Sequence, residues 1–157
     1  MPVTSKKESS HMDINYLAGF FDGEGYVGII RTVRKDRKLD NGEDSTSYQV
    51  VATVAQSNCN ILREYQSRWG GWINMGWKNP KQTKQVYTWR VTGDGVRAFL
   101  KDISPFLVEK REQALLAIQL PSANVGGRWV DRSAKIRQEE IFLEVRRLKH
   151  ITTGCPA

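Results

Sequence analysis

The chain contains few of the residues that form disulfides or bind zinc. Its 157 residues include two cysteines, Cys59 and Cys155, and two histidines. The cysteines are far apart in sequence and have no further ligands at metal-site spacing, so the sequence indicates neither a zinc site nor a disulfide framework. We therefore expect a reducing compartment.

Long apolar runs are also missing. No segment approaches the roughly 20 apolar residues that a membrane span needs, so we expect a soluble protein without a membrane partner. Residues 1–12 are polar, carry no secretory signal and include Ser10-His11-Met12, which is typical of an expression-vector remnant. We expect residues 1–12 to be disordered or such a remnant, and residues 13–157 to be one intracellular domain, in a bacterial or phage cytoplasm or an organelle.

Acidic residues are scarce in the middle of the chain. Between Gly71 and Gly93 there is no Asp or Glu, although Lys78, Lys81, Lys84 and Arg90 all occur there. The whole chain has 24 basic and 17 acidic residues, a formal charge of +7, and a second basic cluster lies between residues 31 and 38. A surface that serves only solubility usually mixes both signs, so this segregation predicts a polyanionic partner such as nucleic acid.

The first apolar segment after residue 12 predicts a helix that ends at a carboxylate. Asp13 is a suitable N-cap, and Gly23 and Gly25 permit the turn that stops the helix, which leaves Glu24 at its C-terminal end. The apolar residues at helical spacing are Ile14, Leu17, Phe20 and Phe21. The C-terminal end of a helix carries about half a negative charge, so a positive group should lie close to Glu24.

Small residues leave one side of this helix nearly bare. Ala18 and Gly19 would let a second helix approach closely enough to place two acidic helix ends side by side. Such a pair of carboxylates would suit a divalent cation with oxygen ligands. Taken alone, the same residues also fit an ordinary amphipathic helix with a glycine cap.

The rest of the chain alternates between strands and helices. Residues 26–35 and 47–56 predict a β-hairpin, and residues 72–78 and 86–92 predict a second one. A helix is expected between them over residues 58–68, and others after Asp94, from Ser104-Pro105 and over residues 136–148. The fold class is therefore α+β. The aromatic residues predicted to lie in the core are Phe20, Phe21, Trp69, Trp72 and Trp89.

Residues 17–25, LAGFFDGEG, closely resemble the LAGLIDADG signature of homing endonucleases. The resemblance implies an αββαββα core, about residues 13–120, whose two hairpins form a curved four-stranded antiparallel sheet that sits saddle-like in the DNA major groove, with helices following it. The motif occurs once, so the resemblance implies a homodimer in which two copies of this helix meet. The predicted dimer contacts are Leu17, Ala18, Gly19 and Phe21.

The resemblance also implies a metal-dependent active site. Glu24 falls on the metal-binding acidic position, and the Gly23 carbonyl would complete the shell of Mg²⁺ (or Mn²⁺). A polar residue that closes the second strand and a lysine that opens a later helix fall on Gln56 and Lys110, which would orient the attacking water and offset charge. The acid at Asp22 closes the helix end. A basic residue of some relatives aligns with Asn60, and Arg63, one turn on, would substitute for it.

Contacts with DNA are predicted on the polar parity of the four strands and in the loops. Arginine suits guanine, Gln and Asn suit adenine, and aliphatic side chains suit the thymine methyl group. The residues assigned to the sheet are Gly28, Ile30, Thr32, Arg34, Gln49, Val51, Thr53, Asn74, Lys78, Thr88 and Arg90. Those assigned to phosphates in the loops are Arg37, Lys81 and Lys84.

Together these features predict a dimeric, site-specific homing endonuclease that hydrolyses both strands of a palindromic or nearly palindromic DNA target with a divalent metal. Two other functions fit the same fold: an RNA-binding intron maturase, and a DNA-binding regulator that does not cut. The set of Glu24, Gln56 and Lys110 weighs against both, because a protein that only binds does not need paired carboxylates.

Overall fold

The structure, a computed structural model, describes residues 11–39, 41–76, 78–125 and 129–151. The helices are α1 (Ile14–Glu24), α2 (Cys59–Trp69), α3 (Gly93–Ile103), α4 (Arg111–Ile118) and α5 (Arg132–His150). The strands are β1 (Gly25–Lys38), β2 (Asp44–Gln56), β3 (Trp72–Met75), β4 (Tyr87–Thr92), β5 (Asn124–Val125) and β6 (Trp129–Val130). Residues 1–10, most of the predicted N-terminal segment, and Cys155 lie outside the described residues.

Strands β1 to β4 form one antiparallel sheet in the order β1-β2-β4-β3. One face of this sheet, here the helical side, joins the core through Val27, Val50, Val54, Trp89 and Val91, which pack with residues of the helices. The alternate residues of each strand lie on the other side, here the open face. The predicted α+β class and four-stranded antiparallel sheet are confirmed.

Helix α1 begins where the sequence predicts. The Asp13 carboxylate accepts a hydrogen bond from the Asn15 backbone N–H at 2.7 Å. The helix continues through Gly23, so Gly23 does not stop it. Gly25 follows with φ −86°, and a Cβ there would collide with the Phe21 side chain and carbonyl. Glycine is therefore needed at residue 25 for close approach, not for a left-handed turn.

The N-terminal boundary and two helix starts differ from the prediction. Met12, which belongs to the segment predicted to be disordered or a vector remnant, packs against the core and donates its backbone N–H to the Glu64 carboxylate at 3.1 Å. Helix α3 has Thr92 as its N-cap residue, and Asp94 lies in its first turn. Helix α5 begins before residue 136, because the Asp131 carboxylate caps the backbone N–H groups of Ser133 and Ala134.

The helix predicted from Ser104 is interrupted. Residues Ser104–Phe106 form a single 3-10 turn, and α4 starts only at Arg111. The backbone N–H groups of the residues just before α4 bind the side chain of Asp22 instead of continuing a helix. Among the residues that the structure describes, no helix combines the length and apolar character that a membrane span requires.

Candidate functional site

The C-terminal end of α1 is tied to the loop before α4. The Asp22 carboxylate accepts hydrogen bonds from the backbone N–H groups of Val108 (2.9 Å), Glu109 (3.0 Å) and Lys110 (2.8 Å). We call this arrangement the Asp22 clamp. Burial alone would raise the pKa of the Asp22 carboxyl, but the three N–H donors outweigh it and hold the pKa below its usual value. Asp22 therefore has a structural role, but its side chain binds the loop before α4 and does not close the end of α1 as predicted.

The clamp also brings a lysine to the acidic helix end. The Lys110 ammonium group donates a hydrogen bond to the backbone carbonyl of Asp22, two residues before Glu24. Lys110 occupies the N-cap position of α4, as predicted for a lysine that opens a later helix. A cation at this carbonyl offsets the partial negative charge of the helix end. Lys110 is thus the positive group that the position of Glu24 requires.

Glu24 and Gln56 lie at the same end of the sheet. Glu24 is the last residue of α1, and its side chain is exposed. Gln56 ends β2, two residues beyond Val54, which pairs with Gly25 at the start of β1. The side-chain Oε1 of Gln56 accepts a hydrogen bond from the backbone N–H of Ser57 at 2.9 Å. The side-chain N–H₂ group of Gln56 has no partner among the described contacts. Glu24, Lys110 and Gln56 therefore lie near the same end of the sheet, where β1 begins and β2 ends.

The open face of the sheet is accessible and polar along most of its length. Its predicted DNA contacts on β1 and β2 include exposed Ile30, Thr32, Arg34 and Gln49, and those on β3 and β4 include Asn74 and Thr88. Lys78, Lys81 and Lys84 are exposed in the segment between β3 and β4. Arg37 lies in β1 and not in a loop, because β1 extends to Lys38 past a register shift after Arg34.

One row of paired residues crosses all four strands on this face. Tyr26 pairs with Thr53, Thr53 with Arg90, and Arg90 with Trp72. The Arg90 Nε is buried and has no hydrogen-bond partner among the described residues. A buried guanidinium N–H without an acceptor costs free energy in the folded chain. Arg90, at the centre of this row, would therefore favour a bound group that accepts a hydrogen bond.

Comparison with solved structures gives the same architecture over nearly the whole chain. The homing endonuclease I-CvuI, solved in complex with its target in the presence of Ca, aligns with a TM-score of 0.67 and 24% identity over 91% of this chain and 85% of its own. The archaeal intron-encoded homing endonuclease I-Vdi141I, complexed with DNA, aligns with a TM-score of 0.66 and 18% identity over 92% and 88%. The LAGLIDADG homing endonuclease I-GzeII, in complex with a DNA target, aligns with a TM-score of 0.58 and 12% identity. This alignment covers 92% of this chain and 46% of the I-GzeII chain.

This chain has the LAGLIDADG homing endonuclease fold. Neither a family model nor a curated protein matches the sequence. At these identities the similarity defines the architecture, and the roles of individual residues rest on the geometry of this chain.

The LAGLIDADG helix exposes a different side from the one predicted for dimer contact. Leu17, Ala18 and Phe21 are fully buried in the core of their own chain, so the prediction that they contact a partner was wrong. Their side chains are needed to attach α1 to the sheet and to α3. Gly19 faces open space, as does Gly23, and Tyr16 on the same side is exposed. The outward stripe of α1 is therefore Tyr16, Gly19 and Gly23.

Two predicted DNA contacts lie on the open face but are covered. Gly28 is buried beneath the Tyr26 hydroxyl group and the Lys149 ammonium group. Val51, the register partner of Gly28, is only 2% exposed and is not part of the core cluster. Both residues have the predicted parity, but Gly28 lies beneath two long side chains and Val51 is buried. Direct contact of Gly28 or Val51 with bases is not available in this conformation.

Sequence reasoning placed Trp72 in the core, and this was wrong. Trp72 is 43% exposed and shares the open face with its partner Arg90, whereas Trp69 and Trp89 are buried. A signal for this was present, because Trp72 has the same parity as Asn74, which was assigned to the open face. The preference of tryptophan for interiors was given more weight than the period of the strand.

The acidic end of α1 in a single chain offers few ligands to a divalent cation. Within the described residues there is no group of three His, Cys, Asp or Glu side chains that would hold a metal. One chain offers the exposed Glu24 carboxylate and the unobstructed surface at Gly23. Oxygen ligands of this kind suit Mg²⁺, which keeps several waters and few protein ligands. Asn60 and Arg63 are both exposed near the start of α2, and Arg63 stays a prediction.

Proposed function

We propose that this chain is a site-specific DNA endonuclease of the homing type that cuts double-stranded DNA as a homodimer. The observation that carries the proposal is the exposed Glu24 at the end of α1, with Lys110 held by the Asp22 clamp so that its ammonium group binds the Asp22 carbonyl, two residues before Glu24. A binding protein has no need to hold an acid and a cation together at this point. The solved neighbours I-CvuI and I-Vdi141I are homing endonucleases in complex with DNA, which supports the same activity here.

The open face is the surface that we assign to DNA. Its exposed residues include side chains suited to base edges, namely Arg34, Gln49 and Asn74. Arg90 is half-buried and its Nε–H is buried without a partner among the described residues, so its side chain would have to turn outward for bidentate contact with a guanine or phosphate. The exposed lysines between β3 and β4 suit phosphates, which position the sheet without reading sequence.

Dimerisation through the outward stripe of α1 would complete the site. Gly19 and Gly23 leave room for a second helix, and their approach would place Glu24 of one subunit beside that of its partner. The pair would hold Mg²⁺ (or Mn²⁺) together with the carbonyl at Gly23. A twofold protein presents the same open face to each half-site, so the target would be palindromic or nearly so. The homodimer and its target symmetry are parts of this proposal.

The remaining groups have distinct roles in phosphodiester hydrolysis. When bound, a divalent cation supplies charge neutralisation at the phosphate and a more acidic water. Gln56 would orient the attacking water through its free amide group. Lys110 donates one N–H to the Asp22 carbonyl and retains two further donors for the charge that develops on phosphate oxygens.

The test is cleavage of the DNA that flanks this reading frame in its host gene, rejoined as though the insertion were absent. Wild type should cut both strands only when Mg²⁺ is present. Glu24→Gln should bind the same duplex and reduce cleavage by about a thousandfold or more, because it removes a charged ligand at the reacting phosphate. Glu109→Gln, which alters a nearby exposed carboxylate, should still cut.

The outcomes separate the alternatives. Binding of the duplex by wild type without cleavage in any divalent metal would contradict the nuclease and favour a regulator. Failure to bind duplex, with binding of structured intron RNA, would favour a maturase. Cleavage that survives Glu24→Gln would contradict the role of Glu24 but not the nuclease.

A further inference from the structure

A lysine of the C-terminal helix reaches the open face of the sheet. Helix α5 packs on the helical side, where Glu139 binds Arg31 at 2.9 Å and Phe142 lies under the Arg31 guanidinium group. In its last turn, however, the Lys149 ammonium nitrogen lies 3.7 Å from the centre of the Tyr26 ring. Tyr26 belongs to the row that continues through Thr53 and Arg90, so Lys149 passes the edge strand β1 and arrives beside the predicted DNA surface.

Gly28 makes room for this arrangement. A Cβ at Gly28 would lie 2.5 Å from the Lys149 nitrogen and 2.5 Å from the Tyr26 hydroxyl oxygen, closer than real contacts permit. Gly28 is in the middle of a strand and has no positive φ, so backbone strain does not explain a glycine there. Glycine weakens a strand interior and often marks a close approach. The approach here is that of Tyr26 and Lys149.

The Lys149 ammonium group is positioned by an aromatic ring and forms no ion pair with the described residues. No carboxylate among the described residues lies within ion-pair distance of Lys149, and its contact is with an aromatic face. Glu109 and Glu112 line the same cavity of about 540 Å³, together with Lys110 and Gly25, without pairing with it. A cation–π contact leaves the three N–H donors of an ammonium group available for oxygen acceptors.

The cavity extends from Lys149 to the residues next to Glu24. Gly25, which lines it, directly follows Glu24, and Lys110, which also lines it, belongs to the Asp22 clamp. A DNA strand that places a phosphate at Glu24 and lies along the open face would pass the Tyr26 and Lys149 pair. The acceptor that such a strand offers to an ammonium group is a backbone phosphate oxygen.

We propose that Lys149 binds a phosphate of the DNA backbone next to the cleavage position, and that Tyr26 and Gly28 hold it in place. This inference rests on the proposed function. Lys149 is a binding residue, whereas Tyr26 and Gly28 are positioning residues that act through it. In a homodimer the contact occurs once in each half-site.

The test is the salt dependence of DNA binding by the full chain, measured in Ca²⁺ so that the duplex stays intact. Two duplexes are used: the rejoined host junction and a random sequence of equal length. The slope of log affinity against log salt is negative, and each phosphate that a variant no longer neutralises reduces its magnitude by about 0.9. Lys149→Gln should therefore reduce this magnitude, which we call the slope, by about 1.8 for the dimer on both duplexes. Its affinity should fall roughly fivefold per subunit at physiological salt.

Three further variants show whether position matters. Lys149→Arg should keep the wild-type slope. Gly28→Ala should lower the slope toward that of Lys149→Gln, and it should still fold because the atoms it displaces are the ends of two flexible side chains. Arg147→Gln is the matched control, since it removes the same charge two residues earlier in α5, where Arg147 already pairs with Glu144.

The results distinguish this inference from the proposed function. If wild type binds DNA and Lys149→Gln has the same slope as Arg147→Gln, the phosphate contact is disproved and the nuclease proposal stands. A slope change on the junction duplex alone would mean base reading and would also overturn the inference. If wild type binds neither duplex, the proposed function fails and this inference fails with it.

Discussion

At the scale of single residues, Asp22 joins the C-terminal end of α1 to the loop before α4. Its carboxylate accepts hydrogen bonds from three consecutive backbone N–H groups, the first of which belongs to Val108, 86 residues further along the chain. The bonds satisfy donors that would otherwise be left before the first turn of α4. They also fix Lys110 beside the end of α1. The position of a proposed catalytic group therefore depends on a residue that touches no substrate.

The Asp22 clamp predicts a stability that depends on pH. The folded pKa of Asp22 is below its usual value of 3.8, so its contribution is fully present above that value and is lost as pH falls through the folded pKa. We expect Asp22→Asn to lower the free energy of unfolding by about 1–3 kcal/mol near neutral pH, because the variant gives up hydrogen bonds to a charged group. Urea denaturation at neutral pH and below the folded pKa should show this difference shrink in acid.

The control for this prediction is Asp36→Asn, which removes the same charge from an exposed position of β1. It should change stability little at either pH. An Asp22→Asn difference that is equally large in acid would show that the charge of the carboxylate does not stabilise the clamp.

At the scale of elements, the edge strand β3 contributes an aromatic side chain to the open face. Trp72 stands beside Arg90 at the end of the row that begins at Tyr26. An exposed tryptophan next to an unpaired guanidinium group is typical of a binding surface, because aromatic and arginine side chains together provide apolar area and directed hydrogen bonds. Trp72 is thus a functional candidate that the sequence interpretation missed.

We expect Trp72→Ala to weaken binding without unfolding the chain. Its affinity for the junction duplex should fall about tenfold, as for an aromatic residue at an interface, and the free energy of unfolding should change by less than about 1 kcal/mol. Trp69→Ala provides the contrast, since Trp69 is 8% exposed and donates its indole N–H to Asp102 at 2.8 Å. That variant should lose about 3–5 kcal/mol of stability. Equal losses of stability in the two variants would place Trp72 in the core after all.

The four strands of the main sheet and most helices could be predicted from the sequence because their signals are local, whereas β5 and β6 were not predicted. Alternation identified both faces of β1, β2 and β4, and Asp13 caps α1 as its side chain predicts. The break before α4 could not be predicted, because its cause is a hydrogen-bond partner far away in the chain. The burial of Gly28 likewise depends on α5, whose packing no local pattern reveals.

At the scale of the whole molecule, the proposed active site is incomplete in a single chain. Each chain brings one Glu24, and the outward stripe of α1 is the surface that would bring the second. The sequence predicted contact through Leu17, Ala18, Gly19 and Phe21, and of these only Gly19 lies on the outward side. Every side of this helix has small or apolar residues, so the sheet and α3 decide which residues are buried.

We expect Gly19→Arg to prevent dimerisation while leaving the fold intact. No atom lies within 4 Å of a Cβ at Gly19, so the larger side chain would enter space that only a partner helix would occupy. Sedimentation should show a monomer at concentrations where wild type is a dimer, and cleavage should be abolished. Ala98→Arg adds the same side chain to an exposed position of α3 and should leave the dimer unchanged. A Gly19→Arg dimer would exclude this side of α1 as the contact.

The division of the sheet into a helical side and an open face has a consequence for retargeting. Ile30, Gln49 and Thr88 contribute neither to the core cluster nor to the Asp22 clamp. Their side chains would therefore be free to vary with little effect on folding or on the geometry around Glu24. Natural drift at these positions would let a lineage of such chains follow a changing insertion site while keeping the same chemistry.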